Sequence, residues 1–282
     1  MDSNILMVCL TVLTFLLVWF RNERWWQVSY GVLFITGLIN GALTYMAIIP
    51  MFTLALLLIH YQKGVKFSVL AGASAAMIGL ALGLHVVPGF NNFEFASNIK
   101  LSPSAASFDI WFNWDKSMFG LFVLGLVLQK SLVRNPVDAI SMAKSFLPLA
   151  VIGIFIVYFI GVLIGYSSFD LTATVIFLPW ALKNIVFTVV AEEVFFRGLI
   201  QNELTKRLSC NYSDHLAVII GGGIFGLAHF SGGIYYVLLS SLAGILYGYT
   251  YKITGRIEAP IITHFILNAG HFLIFTYPYS AI

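Results

Sequence analysis

Six residues in the second half of the chain have the types and spacing for activating water and stabilising an oxyanion. Glu192 and Glu193 are adjacent, Arg197 follows Glu193 at i+4, His229 stands in an apolar run, and Asn268 follows His264 at i+4. A carboxylate can take a proton from water, an imidazole can share that water, and imidazole and amide groups can stabilise the oxyanion that forms. The three charges at 192, 193 and 197 sit in an apolar stretch with no loop signal around them. One charge at mid-bilayer costs at least about 2.5 kcal/mol, so two neighbouring glutamates there require a reason. The plain structural reading of Glu193 and Arg197 is an ion pair on one helix face. Glu192 then has no partner nearby in sequence, and its candidate partners are His229, His264 and Asn268. A lone intramembrane histidine is more often a hydrogen-bonded core residue than a catalyst.

The elements that must position these groups are apolar runs separated by polar breaks. They read as spans near 4–20, 27–43, 46–61, 67–87, 117–131, 146–164, 173–200, 215–230, 234–251 and 258–279. The expected fold is therefore all-α, a polytopic transmembrane helical bundle of about 8 to 10 membrane helices. Asn40, Gly41 and Pro50 interrupt 27–61, which suits a tight hairpin, and 117–131 is short for a full crossing. Gly222 to Gly226 and Gly244 to Gly248 have the G-x-x-x-G spacing of closely packed helices. At about 1.5 Å per residue, Glu192 lies about 21 Å from Lys206, His229 about 22 Å from Asp214 and Asn268 about 18 Å from Arg256, which puts three residues of three helices in one layer.

The composition requires this class. The 282 residues carry 15 Lys+Arg and 12 Asp+Glu, 10% charged against 60% hydrophobic, where a soluble domain carries about 25% charge. Charge is absent from 3–20, 25–62, 67–93, 145–169, 215–251 and 259–282, each long enough to cross a hydrocarbon core of about 18 residues or more. A net charge of +3 spread over loops forms no basic stripe, so no nucleic-acid partner is expected. Cys9 and Cys210 form neither a disulfide framework nor a metal pair. The first run lacks a basic leader (Asp2 is the only early charge), and reads as an uncleaved span. With the N-terminus outside, Arg21, Arg24, Lys63, Lys66, Lys130, Arg134, Lys144, Lys206, Arg207, Lys252 and Arg256 fall on the cytoplasmic side, and Lys100 and Lys116 on the other. Lys183 and Arg197 lie within a span. The connection 89–116 is rich in aromatics, which reads as a headgroup belt.

Glu192-Glu193-x-x-x-Arg197, Phe225-x-x-x-His229 and His264-x-x-x-Asn268 together resemble the three motifs of the CAAX-prenyl-endopeptidase and bacteriocin-processing (CPBP, formerly Abi) intramembrane proteases. The run Gly244 to Gly248, Thr254-Gly255 and Ala259-Pro260 is similar to that family's lead-in to its last motif. The resemblance covers about 171–270. It implies one membrane domain over 1–282, with accessory helices in 1–145 and a catalytic core in 146–282. It also implies that Glu192 is the general base, with His229 sharing the water. His264 and Asn268 would hold the oxyanion, and Glu193 with Arg197 would support the site. The family is classed as metalloprotease, and a metal-free, glutamate-dependent mechanism has also been argued for it. Glu192, His229 and His264 would be the ligands if zinc is bound, but the His-Glu-x-x-His pair of zincins is absent. His271 extends the His264 face and reads as a polar core residue.

The function expected on these grounds is an intramembrane endopeptidase, a hydrolase cutting a small lipidated, hydrophobic or precursor peptide at a multi-pass bacterial plasma membrane. Its partners are that peptide or protein substrate and the lipid bilayer. The alternative is a non-hydrolytic immunity or scaffold protein of the same fold. A transporter is disfavoured because no repeat or broken-helix pair is visible. Prenyl-processing relatives open to the cytosol, whereas the depth estimate sets Glu192 nearer the outer face; helix protruding over Gln201 to Arg207 would move the site inward.

Overall fold

The computed structural model describes residues 3–20 and 23–280, so Asp2 and Arg21 lie outside the described residues. The chain is mostly helical and falls into two compact units. The first comprises the chain up to Phe95 with Trp111–Leu132 and Lys183–Leu199; the second comprises Ala96–Ile110, Val133–Leu182 and the chain from Ile200 onward.

In the first unit, α1 (Ser3–Trp19) and α2 (Glu23–Asn40) pack side by side, with the buried hydroxyls of Thr14 and Ser29 hydrogen-bonded across them at 2.7 Å. The expected hairpin break in 27–61 falls at Asn40 and Gly41. Gly41 takes φ +80°, and the Asn40 Oδ1 accepts from the Ala42 N–H at 3.0 Å. Pro50 does not break the chain, because it occupies the first turn of α3 (Ile48–Lys63), where its missing N–H would have no partner anyway. Gly64 at φ +63° closes α3, and α4 (Ser68–Gly83) follows. After a loop, α5 (Trp114–Phe122) continues as a π-helical turn, Val123–Leu128, and a 3₁₀ turn, Gln129–Ser131.

In the second unit, α6 (Pro136–Leu163) starts ten residues before the apolar run at 146. Asn135 caps it by accepting from the Asp138 N–H at 2.9 Å, and Pro136 sits in its first turn. Hydropathy marks only the lipid-facing part of this helix, so Lys144, expected in a connection, is helical. The C-terminal helices are α10 (Ser213–Leu227), α11 (Ile234–Thr254) and α12 (Glu258–Ile274). The glycine spacings act as expected: a Cβ on Gly244 would lie 3.0 Å from the Gly222 Cα, and one on Gly222 would lie 2.7 Å from the Ile245 N.

Between α6 and α10, residues 177–207 form one helical run: α7 (Phe177–Asn184), a π-segment (Ile185–Val189), α8 (Val190–Glu193), a second π-segment (Val194–Gln201) and α9 (Asn202–Arg207). Helix thus continues through the polar stretch Gln201 to Arg207. Residues 183–199 belong with the N-terminal helices, and the flanking parts of the run belong with the second unit.

The all-α class holds, with one small addition in the connection 89–116. It contains a two-stranded sheet, β1 (Phe93–Ile99) with β2 (Phe108–Phe112). Its alternating apolar positions, Phe93 and Phe95 against Phe108, Ile110 and Phe112, are a strand pattern. Phe112 and Trp114 do not line a headgroup belt. Both are buried, with ring centroids 4.9 and 5.6 Å from that of Phe187, while Phe95 and Trp111 are exposed.

Large apolar residues are found on the outside as well as in the core. Outward faces are apolar, as at Phe52, Leu70, Phe155, Phe159 and Leu227, while Thr11, Thr14, Asn184, Glu193, Arg197, Gln201 and His264 are buried. Such a surface is stable against hydrocarbon and not against water. Among the described residues, two helical stretches, Tyr45–Lys63 and Pro136–Leu163, are long and apolar enough to cross a membrane. Ser3–Trp19, Ser68–Gly83 and Ser213–Leu227 are shorter apolar helices. These stretches do not by themselves establish the eight to ten spans expected from the apolar runs.

Candidate active site

In the first unit the candidate residues lie on α8 and the π-segment after it. Wide π-turns are rare and frequently mark functional positions; here they flank the two glutamates on both sides. The expected pair forms. The Arg197 Nε lies 3.1 Å from the Glu193 Oε2 as an ion pair, and the side chains are 1% and 0% exposed. Removing either charge would strand the other in a medium that cannot solvate it.

Glu192 is engaged differently. The Lys116 Nζ donates to its Oε1 at 3.0 Å, with side-chain exposures of 19% and 12%. Lys116 comes from the first turn of α5 and was counted from the sequence as a cation of an outer connection. It is the site partner that sequence reasoning missed. Its position at the very start of the run 117–131 was the available signal. Lys183, on α7, interacts electrostatically with both Lys116 and Glu192.

The first turn of α5 is itself held on several sides. The Trp114 N–H donates to the Asn92 Oδ1 at 2.8 Å, the Asn92 amide donates to the Asp115 Oδ2 at 3.2 Å, and the Ser117 hydroxyl donates to the Trp114 carbonyl at 3.1 Å. Asp115, 2% exposed in its side chain, also pairs with the His85 Nδ1 at 2.7 Å. Further along α5, a Cβ on Gly120 would lie 3.1 Å from the Ala191 Cα, so glycine at 120 permits the close approach of α5 to α8.

In the second unit α10 ends at Leu227, and His229 follows before a 3₁₀ turn, Phe230–Gly232. The His229 Nδ1 lies 2.7 Å from the Phe225 carbonyl oxygen. A carbonyl only accepts, so Nδ1 carries the proton and Nε2 of the neutral ring is the basic nitrogen. His264, buried on α12, stacks on the Tyr247 ring at 4.4 Å and 15°. The Phe225 ring meets His229 at 4.6 Å and His264 at 5.7 Å, so one aromatic side chain links the two histidines. Asn268 lies one turn beyond His264 on α12 and is half-buried. His271, expected as a polar core residue, has its Nε2 buried without a hydrogen-bond partner, and its ring faces Tyr277 at 5.4 Å.

Among the described residues, no group of three or more His, Cys, Asp and Glu is arranged to hold a metal ion. The donors that zinc would need are divided between the two units, Glu192 in the first and His229 with His264 in the second. One Glu192 oxygen is occupied by an ammonium, and one face of His264 is covered by a tyrosine.

Residues 174–270, about a third of the chain, match the family model described as Type II CAAX prenyl endopeptidase Rce1-like. The match spans all three motifs. No curated protein and no solved structure matches the chain.

Proposed function

We propose that this membrane protein, whose residues 174–270 are a type II CAAX prenyl endopeptidase Rce1-like segment, is an intramembrane endopeptidase. It would hydrolyse a peptide bond of a small lipidated, hydrophobic or precursor peptide at a multi-pass plasma-membrane site. The observation that carries the reading is that the matched segment contains Glu192, Glu193, Arg197, His229, His264 and Asn268 together, with none replaced.

In this mechanism the Glu192 carboxylate takes a proton from water while the His229 Nε2 orients the same water. The water oxygen bonds to the scissile carbonyl carbon, and the carbonyl electron pair moves onto oxygen. His264 and Asn268 stabilise that oxyanion. When the tetrahedral intermediate collapses, the C–N bond breaks and Glu192 returns its proton to the leaving nitrogen. Glu193 and Arg197 keep the helix and its base in register. The His229 tautomer supports the proton-sharing role. The separate cationic partners of the two glutamates support assigning them different tasks. No step passes through a metal.

The test is cleavage of a quenched-fluorescent farnesylated peptide ending in a CAAX sequence by the full chain in liposomes, beside a search of intact cells for an accumulated precursor. Glu192→Ala and His229→Ala should each abolish cleavage, and Glu192→Ala cells should accumulate the precursor. Full cleavage by either folded variant would sink the mechanism, and a phenotype retained by both would favour a scaffold.

A further inference from the structure

We propose that Lys116 is a positioning residue for the general base, supplied from outside the Rce1-like segment. The proposal rests on the endopeptidase reading above. Lys116 lies 76 residues before Glu192, and its ammonium contacts the carboxylate at 3.0 Å.

The two adjacent glutamates show why this contact is more than charge balance. The Glu193 and Arg197 side chains are sealed, at 0% and 1% exposure, and water has no access to them. The Glu192 and Lys116 pair keeps 12% and 19% exposure, which is desolvated enough to strengthen the ion pair and open enough for water to reach the carboxylate. A glutamate side chain has three rotatable bonds, and a base must present its oxygen within hydrogen-bond reach of the water it activates. An ammonium on Oε1 restricts the rotation of the carboxylate and so narrows the positions its oxygens can take.

The clamp is rigid because its base is rigid. Trp114, Asp115 and Ser117 surround Lys116 in the first turn of α5 and are all buried. That turn is held by Asn92 and His85, and Gly120 brings α5 against Ala191, the residue before Glu192. The charged groups of the same unit around Glu192 are thus assigned: Lys116 is bonded to it, Lys183 is in electrostatic reach, Asp115 turns to His85 and Glu193 to Arg197.

The experiment uses the full chain in liposomes with the farnesylated CAAX peptide, comparing kcat and KM of wild type, Lys116→Met, Lys116→Arg and Glu192→Ala, with unfolding midpoints alongside. Lys116→Met should lower kcat about 10- to 100-fold with KM changed less than about 2-fold, and Lys116→Arg should recover most of the loss, because a misplaced base costs turnover and not binding. A Lys116→Met enzyme with wild-type kcat, beside a silent Glu192→Ala, overturns the inference and leaves the functional reading intact. A fall in kcat matched by an equal loss in Lys116→Arg, with both midpoints lowered, makes the residue structural and also overturns it. Glu192→Ala cleaving like wild type removes the functional reading and this inference with it. Lys116→Gln, one atom shorter and uncharged but still carrying a donor, supplies the same comparison where Lys116→Met does not fold.

Discussion

Substituting Arg197 by Met is expected to cost this protein more stability than any surface change. The guanidinium is 1% exposed and lies 3.1 Å from a carboxylate that is 0% exposed, so no lipid headgroup or water can replace it. Removing one member of a buried pair costs about 3–5 kcal/mol, because the remaining charge is left uncompensated. Against a typical total of about 5–15 kcal/mol, that is a large share. At roughly 2–4 °C per kcal/mol for chains near this size, the thermal midpoint should fall by about 6–20 °C. The measurement is the midpoint of intrinsic tryptophan fluorescence for the purified chain in detergent, with size-exclusion monodispersity as a check. The double variant Glu193→Leu with Arg197→Met removes both charges and should regain most of the loss, since an apolar pair of similar volume is tolerated where a lone charge is not. A single variant that melts with wild type would refute the argument, as would a double variant no more stable than the single.

Three further outcomes are expected. Gly222→Leu should lower the unfolding midpoint and the yield of monodisperse protein, by about 1–3 kcal/mol or more, because its Cβ alone would lie 2.7 Å from the Ile245 backbone nitrogen. Gly223→Ala, with nothing within 4 Å of its Cβ, should fold like wild type in the same assay. Dialysis of the purified chain against EDTA is expected to leave peptide cleavage unchanged under the proposed mechanism, in which Glu192 and His229 activate the water themselves. Loss of activity restored by added zinc would contradict that expectation.

Element positions were largely legible in the sequence, because an apolar run bounded by charge is a direct record of where helix meets water. The runs at 4–20 and 234–251 lie within or beside α1 and α11 to within a few residues. The pair Glu193 and Arg197 was legible for a related reason: i,i+4 spacing is local, and burial forces its members together. Neighbours across the bundle were not legible. Lys116 is 76 residues from Glu192, and periodicity records which face of a helix is apolar without recording which helix faces it. The assignment of 183–199 to the N-terminal unit escaped for the same reason. The sheet over 93–112 was masked by its aromatic content, which suits a membrane interface as well as a strand. His229 and His264 were read as partners of Glu192, whereas the aromatic bridge between them through Phe225 required coordinates.

The grouping of residues 183–199 with helices from the first half of the chain has a consequence for biosynthesis. Translation and membrane insertion run from the N-terminus. When Glu192 and Glu193 leave the ribosome, α5, with Lys116 and Gly120, has already been made, and Arg197 follows within four residues. Glu192 thus emerges into a membrane that already holds its counter-charge, and Glu193 meets its own one helical turn later. A fragment starting at residue 146 would carry every motif residue and still deliver Glu192 without the lysine that receives it.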